Sequence, residues 1–283
     1  MCLLSRLGWH EFVKRRRGRG DITSLKNVKH PARRLLFLLE SQGAPVQFST
    51  PPWSRDRLDQ AIKQGPHRSC KDYIDFLEEK FVDMIQKGQW VILPASVARR
   101  LKGLRASPPG VVPQRDRRPR WICDYTWSSD NAETLDIAPK ETMQIGQALD
   151  QVLREILLAN PSFGHVYLNK TDLSDGFYRV DVNPDKIPKL GVVFPSRPGH
   201  REPYIALSLV LPMGRKNSPP YFSAVTFKNH CGPCQFLLTL RERGDEGGRS
   251  ESSYWLRRRR RRQRGLFFDV IGFYFSRFIL SVR

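Results

Sequence analysis

The sequence predicts an α+β fold with a mainly antiparallel sheet. Apolar residues recur at helical spacing over 70–87 and again over 142–159. Short β-rich runs separated by turn residues cover 89–93, 121–125, 165–173, 190–194 and 204–211. Helices and strands in this mixed order, without a regular alternation of strand and crossover helix, are typical of the α+β class.

The first predicted helix, over 70–87, has start and stop signals. Ser69 and Asp72 form an S-x-x-D pattern that predicts an N-terminal cap. Gly88 follows the last apolar residue and suits a C-terminal stop. Between these ends, Phe81 belongs to an apolar stripe that predicts one buried helix face.

Composition divides the chain into three segments. Residues 1–69 form a basic N-terminal arm and an extended lead-in, where Pro, Gly and polar residues are common. Residues 70–226 carry the predicted helices and strands. Residues 227–283 are rich in Arg, Gly and Ser without a sustained apolar period. We therefore predict that this tail lies outside the fold.

The charge of the chain points to a polyanionic partner. The formal net charge is +20 and the pI about 10.2. Nucleic acid is the first expectation and an anionic membrane surface the second. The basic run at 14–20 has two interpretations: a solvated arm, which we favour, or a segment that contacts nucleic acid or directs nuclear import.

Cysteine content and hydropathy indicate the cellular compartment of the chain. The five cysteines are odd in number and scattered, which favours a reducing, intracellular compartment, either cytoplasm or nucleus, over a disulfide framework. The apolar stretch at 266–282 is 17 residues long and is interrupted by Asp269 and Arg277. It is marginal for a bilayer span, so no clear membrane partner is predicted.

The predicted strand at 165–173 leads into two carboxylates. Asp172 stands at its end, Asp175 follows three residues later, and Gly176 comes next. An Asp at the end of a central strand is well positioned to hold Mg²⁺, which prefers carboxylate and phosphate oxygens. Gly allows the backbone to approach a ligand closely. For this pattern alone the commoner outcome is structural, with Asp172 capping a turn and Asp175 solvated.

Residues 209–222 predict a strand, a tight turn and a helix that begins near Pro219. Arg215 and Lys216 lie between the turn and the helix. Cations beside a helix N-terminus suit a phosphate-bearing ligand. An ordinary strand–turn–helix junction would have the same pattern.

A third motif is basic. Residues 114–120 carry four arginines and precede the predicted strand at 121–125. Arginines on the edge of a hairpin can meet triphosphate or template phosphates. The alternative is a solvated run of charge.

Taken in order, these motifs resemble the fingers–palm blocks of reverse transcriptases, most closely those of long-terminal-repeat retrotransposons. The matching segments are KGQWV at 87–91, RWICDYT at 120–126, DLSDGF at 172–177 and LPMGRKNSP at 211–219. The resemblance extends over 73–226. It implies a partial right-hand polymerase made of fingers and an incomplete palm, with disordered basic ends.

The resemblance implies a role for each residue of the DLSDGF block. Asp172 would be the catalytic carboxylate that holds both Mg²⁺ ions. Asp175 and Gly176 would lie beside the triphosphate, with backbone N–H groups making the contact. Phe177 would sit under the incoming sugar and reject a 2′-hydroxyl.

Residues of the other two blocks would complete the nucleotide site. Arg120 would reach the incoming phosphates, and Met213 and Gly214 would line the nucleotide pocket and the template. The implied partners are an RNA or DNA template–primer and a deoxynucleoside triphosphate. The implied chemistry is in-line attack of a primer 3′-hydroxyl on the α-phosphate, assisted by two metal ions.

The chain departs from the family pattern in two ways. The family has a second carboxylate pair, aromatic-x-Asp-Asp, after the Pro-x-Gly block. No Asp-Asp pair follows Gly214 here, and the nearest match is FFDV at 267–270. Two metal ions need more negative charge than Asp172 alone supplies. In addition, Arg215 stands where the family pattern has Trp.

These departures set the functional expectation. We expect a truncated, reverse-transcriptase-like RNA-directed DNA polymerase domain of retroelement origin that is inactive alone, with the resemblance ending near Thr226. The alternative is a non-catalytic, basic nucleic-acid-binding protein. A third interpretation is the product of a decayed element, unstable because its palm sheet lacks a hairpin.

Overall fold

The chain is organised as two structural units. The first unit is formed by Met1–Thr142 and Phe177–Asn229, and the second by Met143–Gly176 and His230–Arg283. The structure, a computed structural model, describes residues 2–17, 32–139, 153–154, 156–158, 166–172, 175–197, 199–226, 270–271 and 276–282.

The helices of the first unit are spread along the whole of its sequence. They are α1 (Cys2–Arg16), α2 (Arg33–Gln42), α3 (Arg55–Gln64), α4 (Ile74–Gln86), α5 (Ala95–Ala98), α6 (Asp130–Glu133) and α7 (Ser218–Thr226). Further stretches of 3-10 helix lie at Arg68–Tyr73, Gly176–Arg179 and Pro184–Leu190. Within the described ranges, no helix combines the length and the apolar character that a membrane crossing needs.

The strands of the described residues belong to three sheets. They are β1 (Trp90–Pro94), β2 (Ala106–Ser107), β3 (Pro109–Gln114), β4 (Arg117–Cys123), β5 (Val166–Asp172), β6 (Gly191–Phe194), β7 (Tyr204–Ser208), β8 (Val270–Ile271) and β9 (Ser276–Val282).

A four-stranded sheet of order β1-β7-β6-β2 lies in the first unit. β7 pairs antiparallel with β1, where Trp90 lies opposite Ser208, and with β6, where Leu207 lies opposite Gly191. The edge pair of β2 and β6 is parallel, with Ala106 opposite Gly191. The predicted α+β class with a mainly antiparallel sheet is therefore confirmed.

The β3–β4 hairpin forms a second sheet in the same unit. It starts with Pro109 opposite Cys123, and its register shifts between Val112 and Gln114. The hairpin predicted around the arginines at 114–120 is confirmed.

The second unit contains a three-stranded sheet of order β5-β9-β8. β5 pairs antiparallel with β9, from Val166 opposite Val282 to Asp172 opposite Ser276. β5 confirms the strand predicted at 165–173. β8 and β9 come from the tail after Thr226, and the other residues of that tail lie outside the described ones.

Of the predicted helix at 142–159, residues 153–154 and 156–158 are helical and the rest also lies outside the described residues.

Four aromatic rings form the centre of the core in the first unit. The ring of Phe81 on α4 meets those of Trp90, Trp121 and Phe194 edge-on, with centroids 5.6, 4.9 and 4.9 Å away. Trp90 and Trp121 also meet edge-on at 5.1 Å. Such pairs contribute about 0.5–1.5 kcal/mol each beyond the burial of their area. The cluster therefore joins α4 to both sheets of the unit.

The first predicted helix begins differently from its prediction. Residues Arg68–Tyr73 are 3-10 helix, and α4 starts at Ile74 without a side-chain cap. Ser69 Oγ accepts a hydrogen bond from Val111 N at 3.1 Å, so it ties this segment to β3 instead of capping a helix. The predicted apolar stripe is confirmed, since its buried members are Leu77, Phe81 and Met84.

The N-terminal segment packs against the rest of the first unit. Trp9 Nε1 donates a hydrogen bond to the carbonyl of Pro184 at 2.8 Å. Arg17 donates through Nη2 to the carbonyl oxygens of Val182 and, at 3.1 Å, Leu209. Burial lowers the pKa of Arg17. At this residue the structure differs from the solvated arm that the sequence favoured; the remainder of the basic run, from Gly18, lies outside the described residues.

The lead-in contains more helix than the predicted extended segment. α3 lies within it, and Ser54 caps this helix by accepting a hydrogen bond from Arg57 N at 3.2 Å. Leu58 and Ile62, four residues apart, are buried on one face. The opposite face carries polar side chains. The proline-rich start of the segment hid this short helix in the sequence.

We predict that Phe81→Ala lowers the free energy of unfolding by about 3–5 kcal/mol, because it removes the ring that contacts three others. Urea unfolding followed by tryptophan fluorescence measures the change. The matched control is Val82→Ala on the next residue of α4, whose side chain is 54% exposed. That substitution should cost less than about 0.5 kcal/mol. Equal losses in the two variants would contradict the packing described for this core.

Candidate functional site

Arg120 and Met213, which come from two different predicted motifs, lie next to each other in the first unit. Arg120 is exposed on β4, and its Nη2 lies 3.7 Å from Met213 Sδ. A thioether sulfur is a weak acceptor, so this contact leaves the guanidinium able to bind a stronger one. The structure thus brings together two of the residues predicted to bind nucleotide.

The turn after Met213 requires glycine. Gly214 has φ +89°, in the left-handed region, and a Cβ there would lie 2.5 Å from the carbonyl oxygen of Cys123. Both the conformation and this close approach to the end of β4 exclude a side chain. Gly214 therefore holds the turn directly against β4.

Asn131 fixes the same turn from α6. Its Nδ2 donates to the carbonyl of Gly214 at 2.9 Å, and its Oδ1 accepts from Lys216 N at 2.8 Å. Sequence reasoning missed this residue. In the sequence Asn131 belongs to a polar loop, and no local pattern connects that loop with Gly214 and Lys216, which lie far along the chain.

The polar residues at the junction of the turn and α7 are structural. Ser218 Oγ donates to the carbonyl of Pro212 at 2.7 Å, and Asn217 Nδ2 donates to the carbonyl of Leu135 at 2.8 Å. Both side chains are buried. The predicted helix near Pro219 is confirmed and begins at Ser218.

The two cations of this junction differ from the expected phosphate-facing pair. Arg215 is only 2% exposed, and its Nη2 donates to the carbonyl of Pro45 at 3.2 Å. Burial lowers the pKa of Arg215. Its Nε and Nη1 donate to no acceptor within the described residues. Lys216 pairs with Asp136 at 3.0 Å. Arg215 is therefore an interior charge and does not face a ligand from the surface.

Phe177 is held by α7. Its side chain is 8% exposed, and its ring meets that of Phe222 edge-on at 5.5 Å. The amide of Val180 donates to the carbonyl of Phe177 at 3.2 Å, which closes the 3-10 turn. Phe177 and the Met213–Gly214 turn are thus both connected to α7.

Asp172, Asp175 and Gly176 belong to the second unit. Asp172 is the last residue of β5, at the strand end that the sequence predicted. Asp175 is exposed and has φ 53°, and Gly176 opens the 3-10 turn. The convergence of Asp172 with Arg120 in one cavity stays a prediction.

A metal centre also stays a prediction. Within the described ranges, no group of three or more His, Cys, Asp or Glu side chains is arranged to hold a metal ion. The residues brought together around Arg120 are a cation, a thioether and backbone groups, which do not form the oxygen-rich set that Mg²⁺ prefers.

The β3–β4 hairpin presents exposed guanidinium groups. The exposed arginines on it are Arg115, Arg117, Arg118 and Arg120. Arg118 pairs with Glu79 at 2.9 Å, but both side chains are about 70% exposed. Exposed pairs are worth roughly 0–1 kcal/mol, so this one yields readily to a phosphate. The hairpin can therefore attract a polyanion.

A buried ion cluster lies beside α6. Arg105 Nη1 donates to Asp130 at 2.7 Å and to Glu133, and Nη2 donates to Thr50 at 2.9 Å. Burial raises the pKa of Asp130 against the opposing effect of Arg105. For Glu133, burial also raises the pKa, but the hydrogen bonds from Thr50, Arg105 and Arg57 together outweigh it and lower the pKa. The carboxylates are committed to Arg105, so the cluster has a structural role.

A scan against protein-family models and a search of curated proteins found no match for the chain.

We predict that Arg215→Met stabilises the protein by about 1–4 kcal/mol, because it removes a buried charge with two unsatisfied nitrogen atoms and keeps an unbranched apolar stem. Thermal unfolding measures the effect as a rise in Tm of at least a few degrees. The matched control is Arg100→Met, which removes the same charge from an exposed position and should leave Tm nearly unchanged. A lower Tm for Arg215→Met would mean that the bond to Pro45 outweighs the desolvation cost.

Proposed function

We propose that this chain is a reverse-transcriptase-like fingers–palm domain of retroelement origin that binds nucleotide and template–primer but lacks a complete catalytic centre. The contact of Arg120 with the Met213–Gly214 turn carries the proposal. These residues belong to separate blocks of the resemblance, and both blocks have nucleotide-binding roles in it. Their contact in an α+β fold is what a shared nucleotide site requires.

The residues of this contact suit distinct parts of a nucleotide. The exposed guanidinium of Arg120 can bind triphosphate oxygens in a charge-assisted, bidentate way. Gly214 lets the turn lie against Cys123 of β4, which keeps Met213 beside Arg120. In the resemblance Phe177 would exclude a 2′-hydroxyl; here its ring is 8% exposed and packed against Phe222, so this role needs the ring to be uncovered when a nucleotide binds.

The proposed chemistry is incomplete at its metal site. In the family reaction the primer 3′-hydroxyl attacks the α-phosphate and pyrophosphate leaves. Bound Mg²⁺ would neutralise the charge that develops on the phosphates. Asp172 is the one carboxylate of the expected set in this chain, because no Asp-Asp pair follows Gly214. We therefore propose binding without sustained synthesis.

We predict that the chain binds a deoxynucleoside triphosphate but does not extend a DNA primer on an RNA template, with Mg²⁺ or with Mn²⁺. Equilibrium binding of a fluorescent dATP analogue and gel-resolved primer extension measure the two properties. Arg120→Ala should weaken nucleotide binding about 10- to 100-fold, the loss of a charged hydrogen bond.

Arg100→Ala is the matched control for Arg120→Ala, since it removes another exposed arginine, from outside the β3–β4 hairpin. Its nucleotide affinity should equal that of the wild type. Primer extension that disappears in Asp172→Ala would show that the catalytic centre is complete after all. Nucleotide binding that is indifferent to Arg120 would remove the support for the proposed site.

The rival function is non-catalytic binding of nucleic acid, and the exposed arginines of the β3–β4 hairpin favour it. A polyanion held mainly through phosphates is bound with an affinity that falls steeply with salt. The net charge of +20 supports the same reading. The first function requires both nucleotide binding at Arg120 and nucleic-acid binding, whereas the rival function requires nucleic-acid binding alone.

We predict that changing Arg115, Arg117 and Arg118 together to Gln reduces the salt dependence of single-stranded RNA binding. Three lost phosphate contacts should lower the slope of log K against log salt by about 2. Filter binding at several salt concentrations measures it. The control changes three other exposed cations, Arg99, Arg100 and Lys102, to Gln. Equal slopes for the two triple variants would argue against a hairpin interface.

A further inference from the structure

A cleft separate from the Arg120 contact lies beside α3. Its volume is about 180 Å³. It lies between the polar face of α3 and the segment that follows β4. The residues that matter for its chemistry are Trp53, Arg57, Gln60, Gln64, Trp127 and Ser128. We call it the Trp53–Trp127 cleft.

Trp127 forms one wall of the cleft and remains 60% exposed. Its backbone N–H donates to Asp124 Oδ1 at 2.9 Å. Its ring meets the ring of His67 edge-on at 5.4 Å, and Asp124 Oδ2 lies 3.0 Å from His67 Nε2. The indole of Trp127 thus contacts an imidazole that Asp124 orients, while much of the indole surface faces water. A large aromatic ring held in this way is suited to stacking.

The opposite wall is also fixed in advance. The guanidinium of Arg57 lies 4.3 Å above the ring of Trp53. Arg57 is itself anchored, since its Nη2 donates to the carbonyl of Ser128 at 3.1 Å and to Glu133 at 3.0 Å. Ser128 Oγ in turn lies 3.0 Å from Asp130 Oδ2. Preformed walls reduce the entropy that a ligand loses on binding.

Amide groups line the cleft between these walls. Gln60 and Gln64 are one helical turn apart on α3, so they share a face. Each side-chain amide carries two donors and an acceptor, the groups that pair with the edges of nucleobases. The cleft therefore offers a stacking surface and hydrogen-bonding groups together.

The volume limits the ligand. Pockets for drug-sized ligands are roughly 300–1,000 Å³, and this cleft is smaller. Its volume suits one planar ring system better than a complete nucleotide. The strongly basic character of the chain favours a ring that is attached to a polyanion.

We propose that the Trp53–Trp127 cleft binds one unpaired base of a single-stranded nucleic acid, stacked on Trp127 with its edge toward Gln60 and Gln64. The proposal rests on the nucleic-acid binding proposed above and adds a base-binding site to it. Sequence-tolerant stacking of this kind is common in proteins that bind single strands. The hairpin arginines would hold phosphates, whereas the cleft would distinguish an unpaired strand from a duplex.

The test compares fluorescein-labelled oligo(U) with a strand of the same length that carries abasic sites throughout. The full-length wild-type chain should bind oligo(U) more tightly. Trp127→Ala should weaken oligo(U) binding about 5- to 150-fold and leave the abasic strand unaffected. Trp127→Phe should retain much of the preference, because it keeps a ring.

Phe37→Ala is the matched control, since Phe37 is an aromatic residue on α2 that is 61% exposed. It should bind both strands like the wild type. Equal affinity of the wild type for both strands, with a steep salt dependence, would overturn the cleft proposal and leave the proposed nucleic-acid binding intact. Failure of the wild type to bind either strand would overturn both. Trp127-dependent binding of an aromatic peptide, with no preference for oligo(U), would assign the cleft to a protein partner and overturn the proposal.

Discussion

The buried guanidinium of Arg105 is the interaction on which the rest of the first unit depends. It is 2% exposed, so its charge must be neutralised inside the protein, and α6 supplies both carboxylates. Thr50 Oγ1 accepts a hydrogen bond from Arg105 Nη2. The ring of Phe48 covers the guanidinium, with its centroid 3.6 Å from the guanidinium carbon. Arg105, which directly precedes β2, thus joins the lead-in to α6. Segments that are distant in sequence pack together here because the buried guanidinium of Arg105 needs carboxylate and hydroxyl partners.

The short helix α6 transmits this constraint to both candidate sites. Asp130 and Glu133 face Arg105, whereas Asn131 between them holds the Gly214 turn through two hydrogen bonds. Asp130 also accepts from Ser128, which lies in the Trp53–Trp127 cleft. Four consecutive residues therefore position the turn beside Arg120 and one side of the cleft. Because the helix is too short to be stable alone, its order depends on the ion cluster.

The sequence predicted the regular elements better than the connections among them. Helical spacing identified α4 through Phe81, because a buried stripe leaves a local period. The cap at Ser69 was wrong, since a serine hydroxyl serves a distant backbone N–H as readily as a helix end. Of the site, the motif order named Arg120 and Met213, and their contact follows from the fold. The role of Asn131 could not be predicted, because a side chain that bonds a distant segment produces no periodicity, spacing or composition in the local sequence.

The strand order of the central sheet has a consequence for biosynthesis. β7 lies between β1 and β6, yet it is the last of the four strands to leave the ribosome. Until it emerges, β1 and β6 have no common partner and expose unpaired backbone groups along their edges. Non-local pairing of this kind forms slowly. β6 waits for only the few residues between Phe194 and Tyr204, whereas β1 must stay apart from other polypeptides while the whole segment from Pro94 to Tyr204 is made. A chaperone that shields β1 in that interval would raise the amount of protein that reaches the native state.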